Sequence, residues 1–257
     1  MRICYQSFID PNEDPQYTAL LQSYLDSVAA PDVEFVVVGM SPGDTKIHRI
    51  SEFRCGAHVI RGAIRAREAG YDAYAVGHFQ DVALAEARSA VDIPVTGLGE
   101  ASMLFACSLA RKIGLITINP LFESWHEEQV VAYGLSRRVV AIRALNTIPA
   151  IYMKACTDDS ALEQLVADFR LETERLEEAG CEVVIPAGGL VATLFSRLPE
   201  PVDTGGVELV NCVGVLAKHT EMAVRCHELG IARTGRTGGY QLASRPVLDE
   251  FLSSMAH

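Results

Sequence analysis

The sequence lacks several features that would point elsewhere. It has no run of about 18 apolar residues, so no membrane-spanning helix is expected. The opening MRICYQSFID turns polar too soon for a secretory signal. Seven cysteines (Cys4, Cys55, Cys107, Cys156, Cys181, Cys212, Cys226) form no Cys-x-x-Cys pair and no zinc-like spacing, which excludes a local metal motif. An odd count without a disulfide framework suits a reducing compartment, so the expected address is cytoplasmic. Basic residues are few, 22 against 33 acidic, for a net charge of −11. Such a surface repels phosphate backbones, and the segment from Arg225 to Arg236, which holds three arginines (Arg225, Arg233, Arg236), has no interleaved aromatic, so no nucleic-acid partner is expected. GRTGG at 235–239 lacks the Gly-Lys-Ser/Thr ending of a phosphate loop. GLGEAS at 97–102 follows a fourth strand, with no acid placed to hold a ribose, and a nucleotide is not expected. The histidines are scattered, and Trp125-His126-Glu127-Glu128 reads as one solvated helix face. Neither a metal site nor any other cofactor is expected.

What is present is the composition of an ordinary soluble globule, 49% hydrophobic and 21% charged. Apolar runs of strand length alternate with amphipathic stretches. Strands are expected over 3–8, 33–39, 73–77 and 93–95, with helices over 17–28, 56–69, 81–90 and from GLGEAS toward 110. The order restarts with strands over 112–118, 138–142 and 181–186 and helices over 123–133, 160–179 and 191–197. Residues 207–229 read as mostly helical, and the last 25 or so end in a short helix. Alternating β and α elements imply an α/β fold with parallel sheets covered by helices.

Two segments align without gaps. Residues 68–78 (EAGYDAYAVGH) fall on 178–188 (EAGCEVVIPAG), so residue 78 maps to residue 188 at an offset of 110. At that offset Arg2-Ile3 falls on Lys112-Ile113, and Ser7 on Thr117. A shared offset at two strand pairs indicates a duplicated unit. The expected organisation is a first half over 1–110, a second over 111–230 and a C-terminal segment over 231–257 that packs back on the body. Ligands of open parallel sheets bind at strand C-termini, which directs attention to Ser7, His78, Thr117 and Gly188.

At these strand ends the chain resembles the aspartate/glutamate/hydantoin racemase superfamily. The resemblance is carried by GYDAYAVGHFQDVALAEARSAVDIPVTGLGEASM (70–103), the KIGLITI strand after it and AGCEVVIPAGGL (179–190). It extends over residues 1–230 in layout and is close over 70–118. It implies two pseudo-twofold-related parallel-sheet α/β halves with the active site in the cleft between them, no cofactor, a small carboxylate, hydantoin or ureide substrate, and a homo-oligomer. It also implies one cysteine from each half, one removing the proton alpha to a carbonyl and the other returning it from the opposite face. Those two positions are His78 and Gly188 here, so neither is cysteine. Cys181, seven residues before Gly188 at the far end of its strand, reads as a packed thiol.

Gly188 has no side chain to serve the second face, which argues against symmetric two-thiol racemisation. His78 can act as an acid/base, or it caps a strand end. Gly188-Gly189 brings bare backbone N–H groups toward a substrate oxygen, or simply makes a tight turn. Ser7 and Thr117 are hydroxyl donors or local caps. Phe79, Gln80, Ser41 and Asn119 complete the expected substrate-binding set, with Thr45 in the same SPGDT loop as Ser41. Asp81 reads as a helix N-cap. The expected function is a cofactor-independent isomerase/racemase-like or lyase-like enzyme with a single histidine acid/base. The alternatives are a hydrolase in which His78 activates water and a non-catalytic small-anion-binding relative.

Overall fold

The computed structural model describes residues 1–145 and 149–255. The first half runs β1 (Arg2–Gln6), α1 (Pro15–Val28), β2 (Glu34–Val38), α2 (Arg49–Glu68), β3 (Ala73–Val76), α3 (Leu84–Ala90), β4 (Val95–Gly97) and α4 (Leu98–Leu109). The second runs β5 (Ile113–Thr117), α5 (Leu121–Ala132), β6 (Val139–Ala144), α6 (Pro149–Lys154), α7 (Asp159–Glu178), β7 (Val183–Ala187), α8 (Gly189–Leu194) with a 3-10 turn (Phe195–Arg197), β8 (Glu208–Leu209) and α9 (Cys212–Glu228). A last helix, α10 (Arg245–Ser254), follows.

The strands form two parallel four-stranded sheets ordered β2-β1-β3-β4 and β6-β5-β7-β8. The register is duplicated with the sequence. Ile3 pairs with Ala73 and Gln6 with Val76, while Ile113 pairs with Val183 and Ile116 with Pro186. The second set is the first displaced by 110. Strands β3, β5 and β7 are buried at every position, as parallel strands covered on both faces must be. Alternate residues then feed different cores. Ile3, Tyr5, Ala75, Leu115 and Ile185 face a central core, into which α1, α4 and α9 bring Leu21, Met103 and Leu216. Tyr74 and Val76 face an outer core under α2 and α3, and Ile116 and Val184 another under α7. Each half also lends a helix to its neighbour: α4 packs on β5 and β7, and α9 on β3 and β4.

Three readings are revised. β8 lies inside the stretch expected to be helical, because Val207 to Val210 is too short and too continuous with the apolar face of α9 to stand out. Helix α6 was not anticipated. α2 begins at Arg49 rather than 56, with His48 as N-cap accepting from the Ile50 amide, 3.1 Å away. Its first turn escapes a periodicity search because its apolar residues, Ile50 and Phe53, are exposed. At the other end of the chain, Leu248, Phe251 and Leu252 of α10 pack against the outer core of the first half. Among the described residues no helix is long and apolar enough to cross a membrane.

Candidate active site

The C-terminal ends of β3 and β7 face one cavity of about 150 Å³ between the halves. β3 leads into Gly77, whose amide donates to the Gln6 carbonyl at 2.9 Å. A Cβ there would sit 2.5 Å from a Tyr5 ring carbon and 2.7 Å from the Gln6 oxygen, so only glycine lets the chain cross the end of β1 this closely. The next residue, His78, is 9% exposed and lines the cavity. Its Nε2 lies 3.6 Å from Glu52 Oε1 and 3.8 Å from Asp44 Oδ2, and its ring meets Phe8 edge-on at 4.6 Å. Burial lowers the imidazole pKa, but the carboxylates of Glu52, Asp44 and Asp81 outweigh burial, and the net shift is upward. Burial raises the Glu52 carboxyl, against the opposing pull of His78. His78 Nδ1 and Asp44 Oδ1 are buried without a hydrogen-bond partner among the described residues.

The loop after His78 is held in a specific shape. Asp81 and Ala83 both adopt left-handed conformations (φ 53°), which are strained for residues with a Cβ. The Asp81 carboxylate accepts four hydrogen bonds: from the Gly99 and Glu100 amides of α4 (3.0 and 2.6 Å), Gln129 Nε2 (3.1 Å) and the Tyr133 hydroxyl (2.7 Å). Asp81 is therefore an N-terminal cap, as its residue type suggested, but of α4 rather than the helix that follows it. Burial drives its carboxyl up to about 7 despite these donors. The GLGEAS glycines make room for this loop: a Cβ at Gly99 would lie 2.2 Å from the Phe79 carbonyl oxygen. Gln129 Nε2 also donates to that oxygen at 2.6 Å.

Across the cavity, β7 ends in a turn where the Gly188 amide donates to the Pro186 carbonyl at 2.8 Å. Gly188, Gly189, Ile118, Phe122, Met153 and Leu190 present a largely apolar wall. Cys212 Sγ lies behind it, 3.9 Å from the Gly188 carbonyl oxygen and fully buried, its thiol driven up to about 12. Cys181 is a buried free thiol, as expected.

Of the residues singled out from sequence, His78, Ser7, Phe79, Gln80, Gly188 and Gly189 line this cavity, as does Thr45. Ser41, Thr117 and Asn119 do not. Ser41 is exposed and stands beside Asp10, helping to hold its carboxyl below the usual range. Asn119 Oδ1 accepts from the Leu121 amide at 2.9 Å and is occupied at the start of α5. Thr117 is fully buried, with Oγ1 3.2 Å from His126 Nε2. His126 overturns its own reading as part of a solvated face: it is fully buried, 3.2 Å from Gln129 Oε1 and edge-on to Phe79, and burial drives its pKa down to about 4. Sequence reasoning also missed Asp44, Glu52, Asp14 and Tyr17. Asp44 stood in plain view between Ser41 and Thr45. Asp14 precedes α1 without capping it through its side chain, and lines the cavity. The described lining includes Asp14 and Asp44 and no lysine or arginine.

Two duplicated parallel sheets, exchanging helices and opening their strand ends onto a shared cleft, define a racemase-type α/β fold. The family model described as Asp/Glu/hydantoin racemase matches residues 8–220, and the chain belongs to that family. A hydantoin racemase from Pseudomonas sp. (strain NS671) is 30% identical over 136 residues, 52% of this chain and 55% of that protein. One from Rhizobium meliloti is 28% identical over 159 residues, 62% and 63% of the two chains. The matches thus span between half and two-thirds of these relatives' lengths. The structure of an allantoin racemase from Klebsiella pneumoniae superposes with a TM-score of 0.79 at 24% identity, covering 95% of this chain and 94% of the other, a likeness of fold.

Proposed function

We propose that this chain is a cofactor-independent isomerase that moves the proton alpha to a carbonyl of a neutral cyclic ureide, with His78 as the single side-chain acid/base. The observation that carries the reading is that His78 and Gly188, on equivalent strand ends, line one cavity from opposite halves. The imidazole takes the carbon-bound proton, and the electron pair moves onto the carbonyl oxygen as an enolate. The backbone N–H of Gly189, at the start of α8, and the Ser7 hydroxyl are the donors on hand for that oxygen. Proton return on the Gly188 side comes from solvent, since Gly188 itself has no side chain to carry a proton. Exchange of the alpha hydrogen therefore outpaces interconversion of enantiomers.

The wall supports a neutral substrate over a carboxylate. Asp14 and Asp44 face the cavity, Glu52 stands behind His78, and among the described residues no lysine or arginine lines it to receive an anion. The names of the relatives, hydantoin and allantoin racemases, fall in the same substrate class. The homo-oligomeric state belongs to the same proposal and is read by light scattering.

The test is solvent deuterium exchange at the ring carbon of 5-substituted hydantoins and allantoin, followed by NMR. Exchange is expected for the ureides and absent for aspartate and glutamate, and His78→Asn removes it. Equal exchange of the amino acids would refute the neutral-substrate clause. Incorporation of solvent oxygen-18 without alpha exchange would replace isomerisation by hydrolysis.

A further inference from the structure

We propose that the first-half wall of the cleft is a binding site for a thiophilic divalent cation such as Zn²⁺, held by Asp44, Cys55 and His78 with Glu52 beside them. Three segments bring these side chains together. Asp44 lies in the loop between β2 and α2, and His78 at the end of β3. Glu52 and Cys55, three residues apart on α2, share one helix face. One donor atom each from Asp44, Cys55 and His78 lies within 4.8 Å of the other two. Glu52 Oε1 and Asp44 Oδ2 stand 3.6 and 3.8 Å from His78 Nε2. Around a tetrahedral zinc ion, with bonds of about 2.0–2.3 Å, neighbouring donors are separated by about 3.3–3.8 Å. The carboxylate–imidazole distances already fall in or near that range, and small side-chain rotations close the rest.

Unused donor capacity is the second observation. Among the described residues, Asp44 Oδ1 and His78 Nδ1 are buried without a hydrogen-bond partner, in side chains that are only 11% and 9% exposed. A buried carboxylate oxygen is costly to leave unsatisfied, and a cation shared by the two Asp44 oxygens satisfies it directly, while His78 ligates through Nε2, the ring nitrogen that faces the carboxylates. The nearest positive side chain to Asp44 is Arg54, 3.7 Å away, and its guanidinium is also engaged by the Pro42 and Gly43 carbonyls. The donor set fixes the class of ion. One thiol, one imidazole and carboxylates suit zinc or cadmium, whereas magnesium and calcium take oxygen ligands alone.

Asp44 and His78 line the cavity while Cys55 does not, so a bound ion sits in the cavity wall and withdraws His78 from proton transfer. This inhibitory consequence rests on the isomerase reading; cation binding does not. The first experiment titrates Cd²⁺ into metal-free full-length protein and follows the ultraviolet thiolate-to-metal charge-transfer band, with calorimetry for stoichiometry. One equivalent is expected, displaced by Zn²⁺ and not by Mg²⁺. Cys55→Ala removes the band and weakens binding by about 100-fold or more. Cys181→Ser leaves both unchanged, and Glu52→Gln weakens binding while keeping the band, a check should Cys55→Ala fold poorly. A band that survives Cys55→Ala, or no binding below millimolar Cd²⁺, would overturn the site. In the second experiment Zn²⁺ suppresses ureide exchange, a chelator restores it, and Cys55→Ala is active but insensitive. Stimulation by Zn²⁺ would overturn the inhibitory clause alone.

Discussion

At the end of β3 the first half gathers an imidazole, two carboxylates and a thiol, whereas the matching end of β7 offers a glycine turn backed by Ile118 and Leu190. The strands that support these two ends pair in the same register, 110 residues apart. Backbone pairing is set by alternating apolar residues facing two cores, a requirement that many side chains meet, so the register survives divergence. Side chains beyond the last strand residue answer only to the cleft, and there the halves have separated into a polar, titratable wall and a bare, apolar one.

The sharpest way to break that comparison is to alter one wall at a time. His78→Asn is expected to lower alpha-hydrogen exchange by about 10²–10⁴-fold, the usual worth of a positioned acid/base, measured by NMR in deuterium oxide. Gly188→Ala places a Cβ 3.3 Å from Ile118 Cγ2, a tight contact that a small shift relieves, and is expected to leave exchange within a few-fold. The double change His78→Cys with Gly188→Cys puts a thiol on each face. Enantiomer interconversion is then expected to catch up with exchange, read by chiral chromatography.

The loop that carries the imidazole depends on contacts from both halves. Gly99 and Glu100 belong to α4, Gln129 to α5 and Tyr133 to the C-cap that ends α5, and all four donate to Asp81. Asp81→Ala strands these donors and releases two left-handed residues from their tether. With about 1–3 kcal/mol lost per buried group left unsatisfied, the variant is expected to lose at least about 3 kcal/mol in urea denaturation. Tyr133→Phe removes one donor and is expected to lose about 1.5 kcal/mol.

The four central strands were legible because each is a short apolar run, and the shared offset tied them in pairs before any contact was known. β8 was not, since a two-residue pairing at Glu208–Leu209 leaves no signal of its own beside an amphipathic helix. His78 and Gly188 were legible through the repeat and the resemblance. The groups around His78 were not: residues 44, 52 and 55 fit no local motif, and only the loop and first turns of α2 folding over β3 bring them close. His126 misled for a related reason. Its neighbours Trp125, Glu127 and Glu128 describe a solvated surface, while its own partner is Thr117, which only the turn from β5 into α5 supplies.

That buried histidine gives the second half a pH dependence of its own. The folded pKa of His126, about 4, lies below the ordinary value of 6.5. As pH falls through 6.5 the unfolded chain binds a proton that the folded chain refuses, so stability is lost on acidification, down to about pH 4. Relative to His126→Gln, the native chain is expected to lose up to about 1.4 kcal/mol more per pH unit in that window, measured by urea denaturation at stepped pH. Other depressed histidines, such as His58, are present in both proteins and cancel in the difference. Equal slopes would mean that His126 is solvated after all.

The smallest expected effect lies inside the sheets, where the duplicated register allows a direct substitution test. Gln6 and Tyr74 face one outer core, with Gln6 Oε1 accepting from the Tyr74 hydroxyl at 2.9 Å. The residues 110 later, Ile116 and Val184, fill the equivalent space without a polar atom. Gln6 Nε2 meanwhile donates to the Ser7 carbonyl at 2.7 Å, which ties the polar pair to the loop entering the cleft. Tyr74→Phe leaves Gln6 Oε1 buried and unpaired, and is expected to lose about 1–2 kcal/mol. Gln6→Leu with Tyr74→Phe removes both partners and is expected to recover about half of that loss in a double-mutant cycle, since an apolar pair is what the second half already tolerates. If the double variant is instead less stable than Tyr74→Phe alone, then the Gln6 bond to Ser7 outweighs the buried pair. The polarity of the first half would then extend from the cleft into the sheet for a structural reason that β5 and β7 do not share.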